Sequence, residues 1–187
     1  MKDLLRSLLI FITMSLLTGL VYPFLITGIS NVAMPEKARG SLAISKDKVI
    51  GSALIGQHFS NARYFHGRPS ALAKPYDASN SGGSNYGPSN KMFLEDIGKR
   101  VQQARDKNGL EPAKPVPADM VLSSASGLDP HISIETALLQ TARVARARDL
   151  PETQIRKTIT EVAQRHLGGP EVVNVLKLNM AIDKLTH

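Results

Sequence analysis

The 187-residue chain contains no cysteine, which removes disulfides, thiol nucleophiles and cysteine metal sites together, though it does not fix the compartment. It has no tryptophan, and aromatic residues make up 5% of it, too few for a base-stacking surface. The formal charge is +7, but the basic residues are scattered rather than clustered, and nucleic acid is excluded as a partner on that pattern. The standard chemical motifs are missing as well. There is no G-x-x-x-x-G-K-[ST] phosphate loop, G-x-G-x-x-G turn, H-E-x-x-H pair or G-x-S-x-G elbow, and no aspartate in a DKTG setting. His58, His66, His131, His166 and His187 show no metal-ligand spacing, so no metal site is expected.

The largest absence is local. Residues 7–34 contain no charged side chain, and residues 8–26 read LLIFITMSLLTGLVYPFLI. Roughly 20 helical residues cross the ~30 Å hydrocarbon layer, and a helix satisfies its own backbone there. A cleaved signal peptide is the rival reading, with Gly28-Ile29-Ser30 as a weak small-x-small site, but its apolar region is usually 7–15 residues. A buried helix of a soluble core would show a polar stripe, and none is visible. Length favours an uncleaved anchor. The expected organisation is a tail at 1–6, a transmembrane anchor at 7–34, a linker at 35–47 and a soluble domain at 48–187. Lys2 and Arg6 precede the anchor, while Lys37, Arg39, Lys46 and Lys48 follow it, so charge does not decide the orientation. Gly19 and Gly28 permit close approach of partner helices.

Beyond the anchor, KVIGSALIGQHF at 48–59 alternates in the manner of one or two short strands. Tyr64-Phe65 and Arg68-Pro69 suit a strand end or packed corner. Residues 70–90 are rich in Ser, Gly and Asn and read as loop. Ser89 is an N-cap candidate for a helix whose inner face is Leu94, Ile97, Val101 and Ala104, ended by Asn108-Gly109. A second helix is expected near 132–148, with Ala137, Leu138, Ala142 and Ala145 inward. A third begins at Pro151 and carries Ile155, Ile159 and Val162. After Gly168-Gly169-Pro170, a last helical stripe holds Val172, Val175, Leu178, Ile182 and Leu185. The fold class is α+β: a single N-terminal transmembrane helix, then a helix-rich mixed soluble domain with a small sheet.

Three stretches carry candidate chemistry. Backbone N–H groups around Gly82 and Gly83, within Ser81, Gly82, Gly83, Ser84 and Asn85, can cradle an anion, or form an ordered turn packed on the domain. Asp129 can cap a helix beside a titratable His131; an anchored hydrolase using this pair is one reading, and simple capping another. Arg143, Arg146 and Arg148 flank one helix face, either solvated or docked on an acidic partner or lipid headgroups, and Arg68 is a further docking candidate.

Several long blocks resemble a known family. They are GSALIGQHF at 51–59, YFHGRPSA at 64–71, SGGSN at 81–85, GPSN at 87–90, SGLDPHIS at 126–133, RVARAR at 143–148 and VNVLKLNMAID at 173–183. With the anchor, they are similar in order and spacing to the KdpC family, the C subunit of the Kdp potassium-transporting P-type ATPase. Tyr86 and Ser123 depart from the family's usual residues. The resemblance implies an accessory, non-catalytic subunit of a bacterial inner-membrane complex that imports K⁺ with ATP, single-pass, with a cytoplasmic N-terminus and a periplasmic domain. The implied partners are a channel-like subunit and an ATP-hydrolysing P-type subunit, besides membrane lipid. Such subunits are described as assembly factors and catalytic chaperones that promote ATP binding. No tightly bound cofactor is expected, with ATP reached through the complex. Gln140 matches a glutamine proposed to contact nucleotide, with the 81–85 turn. A periplasmic domain cannot reach cytosolic ATP, and the alternative is an extracytoplasmic cap that shapes K⁺ entry.

Overall fold

Proline at position 23 leaves its mark on the first element. The computed structural model of the chain describes residues 1–165 and 168–185, so His166 and His187 of the sequence reading lie outside the described residues. Helix α1 (Lys2–Leu16) runs through one turn of π-helix (Leu17–Val21) into α2 (Tyr22–Ala33). Pro23 has no N–H, and its ring crowds the carbonyl four residues back. The backbone before it widens, with Tyr22 N–H donating to the Leu17 carbonyl five residues earlier. Hydroxyl and amide groups on the helix bond inward to its own turns: Thr18 Oγ1 donates to Met14 O at 2.7 Å, and Asn31 Nδ2 to Thr27 O at 2.8 Å. The 32 residues of Lys2–Ala33 are apolar enough to cross a membrane, and none is buried by protein. At 1.5 Å per residue they measure about 48 Å.

The first unit, residues 1–50, continues into α3 (Pro35–Ala38) and a hairpin of β1 (Leu42–Ser45) and β2 (Lys48–Ser52), of which the last two residues fall in the second unit. Residues 35–47, expected as a linker, thus hold a helical turn and half a hairpin. The strand reading of 48–59 holds only to Ser52, after which the chain is irregular.

The second unit begins at Gly51. Its regular elements are α4 (Lys91–Asn108), α5 (Ala118–Val121), β3 (His131–Ser133), α6 (Ile134–Arg148), α7 (Glu152–Val162), β4 (Gln164–Arg165), β5 (Glu171–Asn174) and α8 (Val175–Asp183). Each long helix has a chemical start and stop. Asn90, rather than Ser89, caps α4 by accepting from Phe93 N–H at 3.1 Å, and Gly109 ends the helix at φ +63°. Ser133 caps α6 by accepting from Thr136 N–H at 3.1 Å, and Asp149 terminates it in the left-handed region at φ +57°. Asn174 caps α8 through Lys177 N–H at 3.1 Å. Asp129 is therefore not a helix cap, because His131–Ser133 are drawn into a strand and the helix starts only after Ser133.

Among the described residues that strand belongs to an antiparallel sheet of order β3-β5-β4, the hairpin forming a second, two-stranded sheet. Ile132 sits opposite Val173, and both are buried. Val172, placed on a helical stripe by the sequence reading, lies instead in β5. Two adjacent β-branched residues favour the extended backbone, and Asn174 delays the helix. Helices α6, α7 and α8 pack on this sheet around Val144, Ile155, Ile159, Leu178 and Ile182, with Phe65 inserted from a distant segment. Ala137 and Ala145 face inward as expected, whereas Leu94 is exposed.

Candidate functional site

Residues 53–90 form no helix or strand, yet their path is fixed. The reason is a set of amide and guanidinium side chains from α6, β5 and α8 that bond this strap's backbone as a neighbouring strand would. Asn179 accepts from Phe65 N–H at 2.8 Å and donates to Phe65 O at 3.0 Å. Gln140 does the same for the next residue, accepting from His66 N–H at 2.8 Å and donating to His66 O at 3.0 Å. Asn174 donates to Ala53 O at 2.8 Å while capping α8 with its oxygen. A carboxamide has one acceptor and one donor end spaced like a peptide group, which is why Asn and Gln suit this duty.

Arginines complete the clamp. Arg143 donates to Ala62 O at 2.7 Å, Tyr64 O at 3.0 Å, Asn108 Oδ1 at 3.0 Å and Gln140 Oε1 at 2.7 Å. Burial lowers its pKa to about 10, which leaves it charged at neutral pH. Arg148, whose side chain is enclosed, donates to Arg63 O at 2.6 Å and Asp183 at 2.7 Å, with its guanidinium 4.9 Å from the Tyr64 ring centroid. Further along the strap, Arg68 donates to Asp129 at 3.1 Å and to the carbonyls of Leu122 and Ser123. Of the guanidinium groups expected to dock a partner, Arg68 and Arg143 are thus engaged within the domain, and Arg146 is exposed. Gly19 and Gly28, on the apolar helix, have open space where a Cβ would stand.

The glycine-rich turn is packed rather than open. Gly82 N–H donates to Ser126 O at 2.9 Å, Ser81 Oγ reaches the same carbonyl, and a Cβ on Gly83 would stand 3.0 Å from Ala125 O. Ser84 is half-buried and Asn85 sits at φ +53°. The facing turn carries Gly127 at φ +69°, where a Cβ would meet Leu72 and the Gly82 carbonyl. Small residues on both sides let the two turns touch.

A cavity of about 320 Å³ lies beside the clamp, lined in part by His66, Arg68, Tyr76, Arg100, Lys107 and Gln140. None of Ser81, Gly82, Gly83, Ser84 and Asn85 is among its lining residues, so the two halves of the expected nucleotide contact do not share it. Gln140 is 2% exposed, and both ends of its amide are engaged. Burial raises the Tyr76 pKa to about 12, with Asp129 adding to the effect, and its hydroxyl donates to Arg68 O at 2.6 Å.

The Asp129–His131 pair is close but tied. Asp129 Oδ1 accepts from His131 N–H at 2.9 Å and lies 3.4 Å from His131 Nδ1, while Oδ2 holds Arg68. Burial alone would raise the carboxyl, but the bonds from His131 and the Arg68 charge outweigh it, and the group sits below the ordinary carboxylate range. A carboxylate so held is a weak general base. Among the described residues no cluster of His, Asp and Glu could hold a metal ion.

His66 shows how dry the clamp is. Burial, then the Arg143 charge, lowers its pKa to about 4, although its bond to Asn61 O at 3.1 Å acts in the opposite direction. An unfolded chain binds this proton near pH 6.5 and the folded one near 4. Below pH 6.5 the unfolded state therefore holds more protons, and stability present above that value falls as pH drops towards 4. The slope from this group is at most about 1.4 kcal/mol per pH unit, less with solvent screening. An NMR titration of the His66 ring should give a midpoint near 4; a midpoint near 6.5 would refute the enclosed site.

Sequence reasoning missed Asn174, Asn179 and Asp119, which accepts from Ser133 N–H at 2.6 Å and Thr136 Oγ1 at 2.6 Å. One local signal existed: Asn179 interrupts an otherwise apolar face in VLKLNMAI.

Comparison with known proteins supplies the rest. Residues 4–184 match KdpC, described as the c chain of K⁺-transporting ATPase. The chain is similar to the potassium-transporting ATPase KdpC subunit of Koribacter versatilis (strain Ellin345), 46% identical over 188 residues that cover 97% of this chain and 94% of the relative. With the subunit of the same name from Rhodopseudomonas palustris (strain TIE-1) it shares 43% identity over 198 residues, 98% of this chain and 97% of that one. The Methylobacterium nodulans subunit gives 44% over 200 residues, 99% and 98% of the two chains. Likeness of this extent takes in the apolar helix, the strap and the clamps together, and the chain belongs to the KdpC family.

Proposed function

We propose that this chain is the anchored accessory subunit of an ATP-driven potassium uptake complex, holding a channel-like subunit and a P-type subunit together without chemistry of its own. The apolar helix 2–33 supplies the anchor, with Gly19 and Gly28 as points of close approach to partner helices. The domain lies outside the cytoplasm, and any promotion of ATP binding by the pump subunit is exerted through assembly rather than by contact with nucleotide. One observation carries this reading: Gln140, Arg143, Arg68 and Asp129, the groups that a ligand site would use, are engaged with the protein's own backbone and with one another. What remains outside suits docking. Tyr86, Met92 and Leu94 leave large apolar side chains exposed around the start of α4, and Arg146 is free of the clamp.

Removing the chain from the complex should abolish co-purification of the other two subunits and their K⁺-dependent ATPase activity. An assembled complex with undiminished activity would defeat the proposal. Protease added to cells with a permeabilised outer membrane should digest the domain; full protection would put it in the cytoplasm.

The cations Arg68, Arg100 and Lys107 around the cavity beside Gln140 favour a second reading, direct contact with an anionic nucleotide. Equilibrium dialysis of the full chain in detergent with ATP discriminates the two. Accessory docking predicts no saturable binding, and the nucleotide reading predicts binding that Gln140→Leu removes.

A further inference from the structure

The hairpin β1–β2 leaves an apolar face uncovered. Its two-residue turn, Lys46-Asp47, has φ +48° and +60°, the geometry of a type I′ hairpin, which sets Ser45 opposite Lys48 and Ile44 opposite Val49. Alternation then places Leu42, Ile44 and Val49 on one face, and they are 48%, 59% and 59% exposed. A two-stranded ribbon is marginal in water on its own, and an exposed β-branched face makes water a poor surrounding for it. Lys37, Arg39 and Lys46 lie beside the ribbon in sequence or in its turn, all exposed, against Glu36 and Asp47 of opposite sign, while Lys48 falls on the other face.

Position supplies the second argument. The hairpin as far as Ile50, including Leu42, Ile44 and Val49, belongs to the same unit as the apolar helix. Leu42 follows the helical turn at Pro35–Ala38, so the connection reaches about 25 Å at most beyond the helix end. Apolar residues held that close to a bilayer, with cations beside them, match the chemistry of the headgroup layer.

We propose that the hairpin lies in the surface of the membrane that the helix enters, with Leu42, Ile44 and Val49 at the acyl boundary and Lys37, Arg39 and Lys46 on the phosphates of anionic lipids. The proposal rests on helix 2–33 being an uncleaved anchor. Each lysine near an anionic surface contributes about fivefold in occupancy, so the hairpin prefers anionic over zwitterionic bilayers.

The absence of cysteine permits a clean test. The full chain is reconstituted with one NBD-labelled cysteine at a time, Ile44→Cys, Val49→Cys, Leu17→Cys in the helix, or Thr153→Cys on the exposed surface of α7. Vesicles contain phosphatidylcholine alone or with phosphatidylglycerol, and neutral acrylamide is the aqueous quencher. The hairpin labels should be quenched severalfold less than the Thr153 label in phosphatidylglycerol vesicles, and Lys37→Glu with Lys46→Glu should restore quenching. Hairpin labels quenched like the Thr153 label, with the Leu17 label still shielded, would overturn the proposal and leave the anchor standing. Quenching of the Leu17 label as well would remove the anchor and the proposal together. Equal shielding in both vesicle types would refute the phosphate contacts, and shielding that appears only when partner subunits are added would assign the face to protein instead.

Discussion

Truncating Phe65 to alanine is expected to destabilise the second unit by about 3–5 kcal/mol, the cost of emptying a fully enclosed aromatic site. Phe65 is 0% exposed and joins the core of α6, α7, α8 and the sheet, although it comes from a segment with no secondary structure. For a unit of this size that corresponds to a fall in melting temperature of about 10–15 °C. Circular dichroism of the full chain in detergent measures it. A change below about 1 kcal/mol, the scale of a surface substitution, would mean that the strap is not anchored by this ring.

Replacing Asn179 with leucine is expected to cost about 2–5 kcal/mol, although leucine is the better residue for a buried helical face. The Phe65 N–H and C=O would both lose their partners in a dry site, at about 1–3 kcal/mol each. Asn179→Asp separates the two ends of the clamp. It keeps an acceptor for the Phe65 N–H but turns a second oxygen towards the Phe65 carbonyl, and should also unfold early. Chemical denaturation of the three proteins decides between this account and a packing role, under which leucine would match or exceed asparagine.

These two residues also show where sequence reading ends. Helix α4 was legible because its signals are local: a polar cap, read one residue early at Ser89, then Ile97, Val101 and Ala104 at helical spacing, and Asn108-Gly109 to stop it. The stripe of α7 was legible for the same reason. The strand β3 was not, since three residues are too few to alternate and its partner β5 lies some forty positions away. Once β3 forms, the cap of α6 moves to Ser133, and Asp129 is left to hold His131 and Arg68. The clamp was the hardest to see. Gln140 and His66 are separated by 74 positions and Asn179 and Phe65 by 114, and no periodicity links an amide to a backbone so distant. Residues 70–90 read as loop, which they are, and residues 53–59, read as strand, are irregular too, but composition carries no sign that side chains would complete their hydrogen bonding. The resemblance to the KdpC family marked these same blocks without saying what holds them. Gln140 entered that reading as a nucleotide contact, and the structure gives its amide an inward set of partners.

The most direct test of the account is hydrogen exchange at the amides of Phe65 and His66 in the full chain, without nucleotide, comparing the native protein with Gln140→Leu. If Gln140 is a backbone clamp, the His66 N–H is protected in the native chain and exchanges far faster in the variant, with a lower melting temperature. An unprotected His66 amide in the native chain, or a variant with unchanged exchange and stability, would contradict the account.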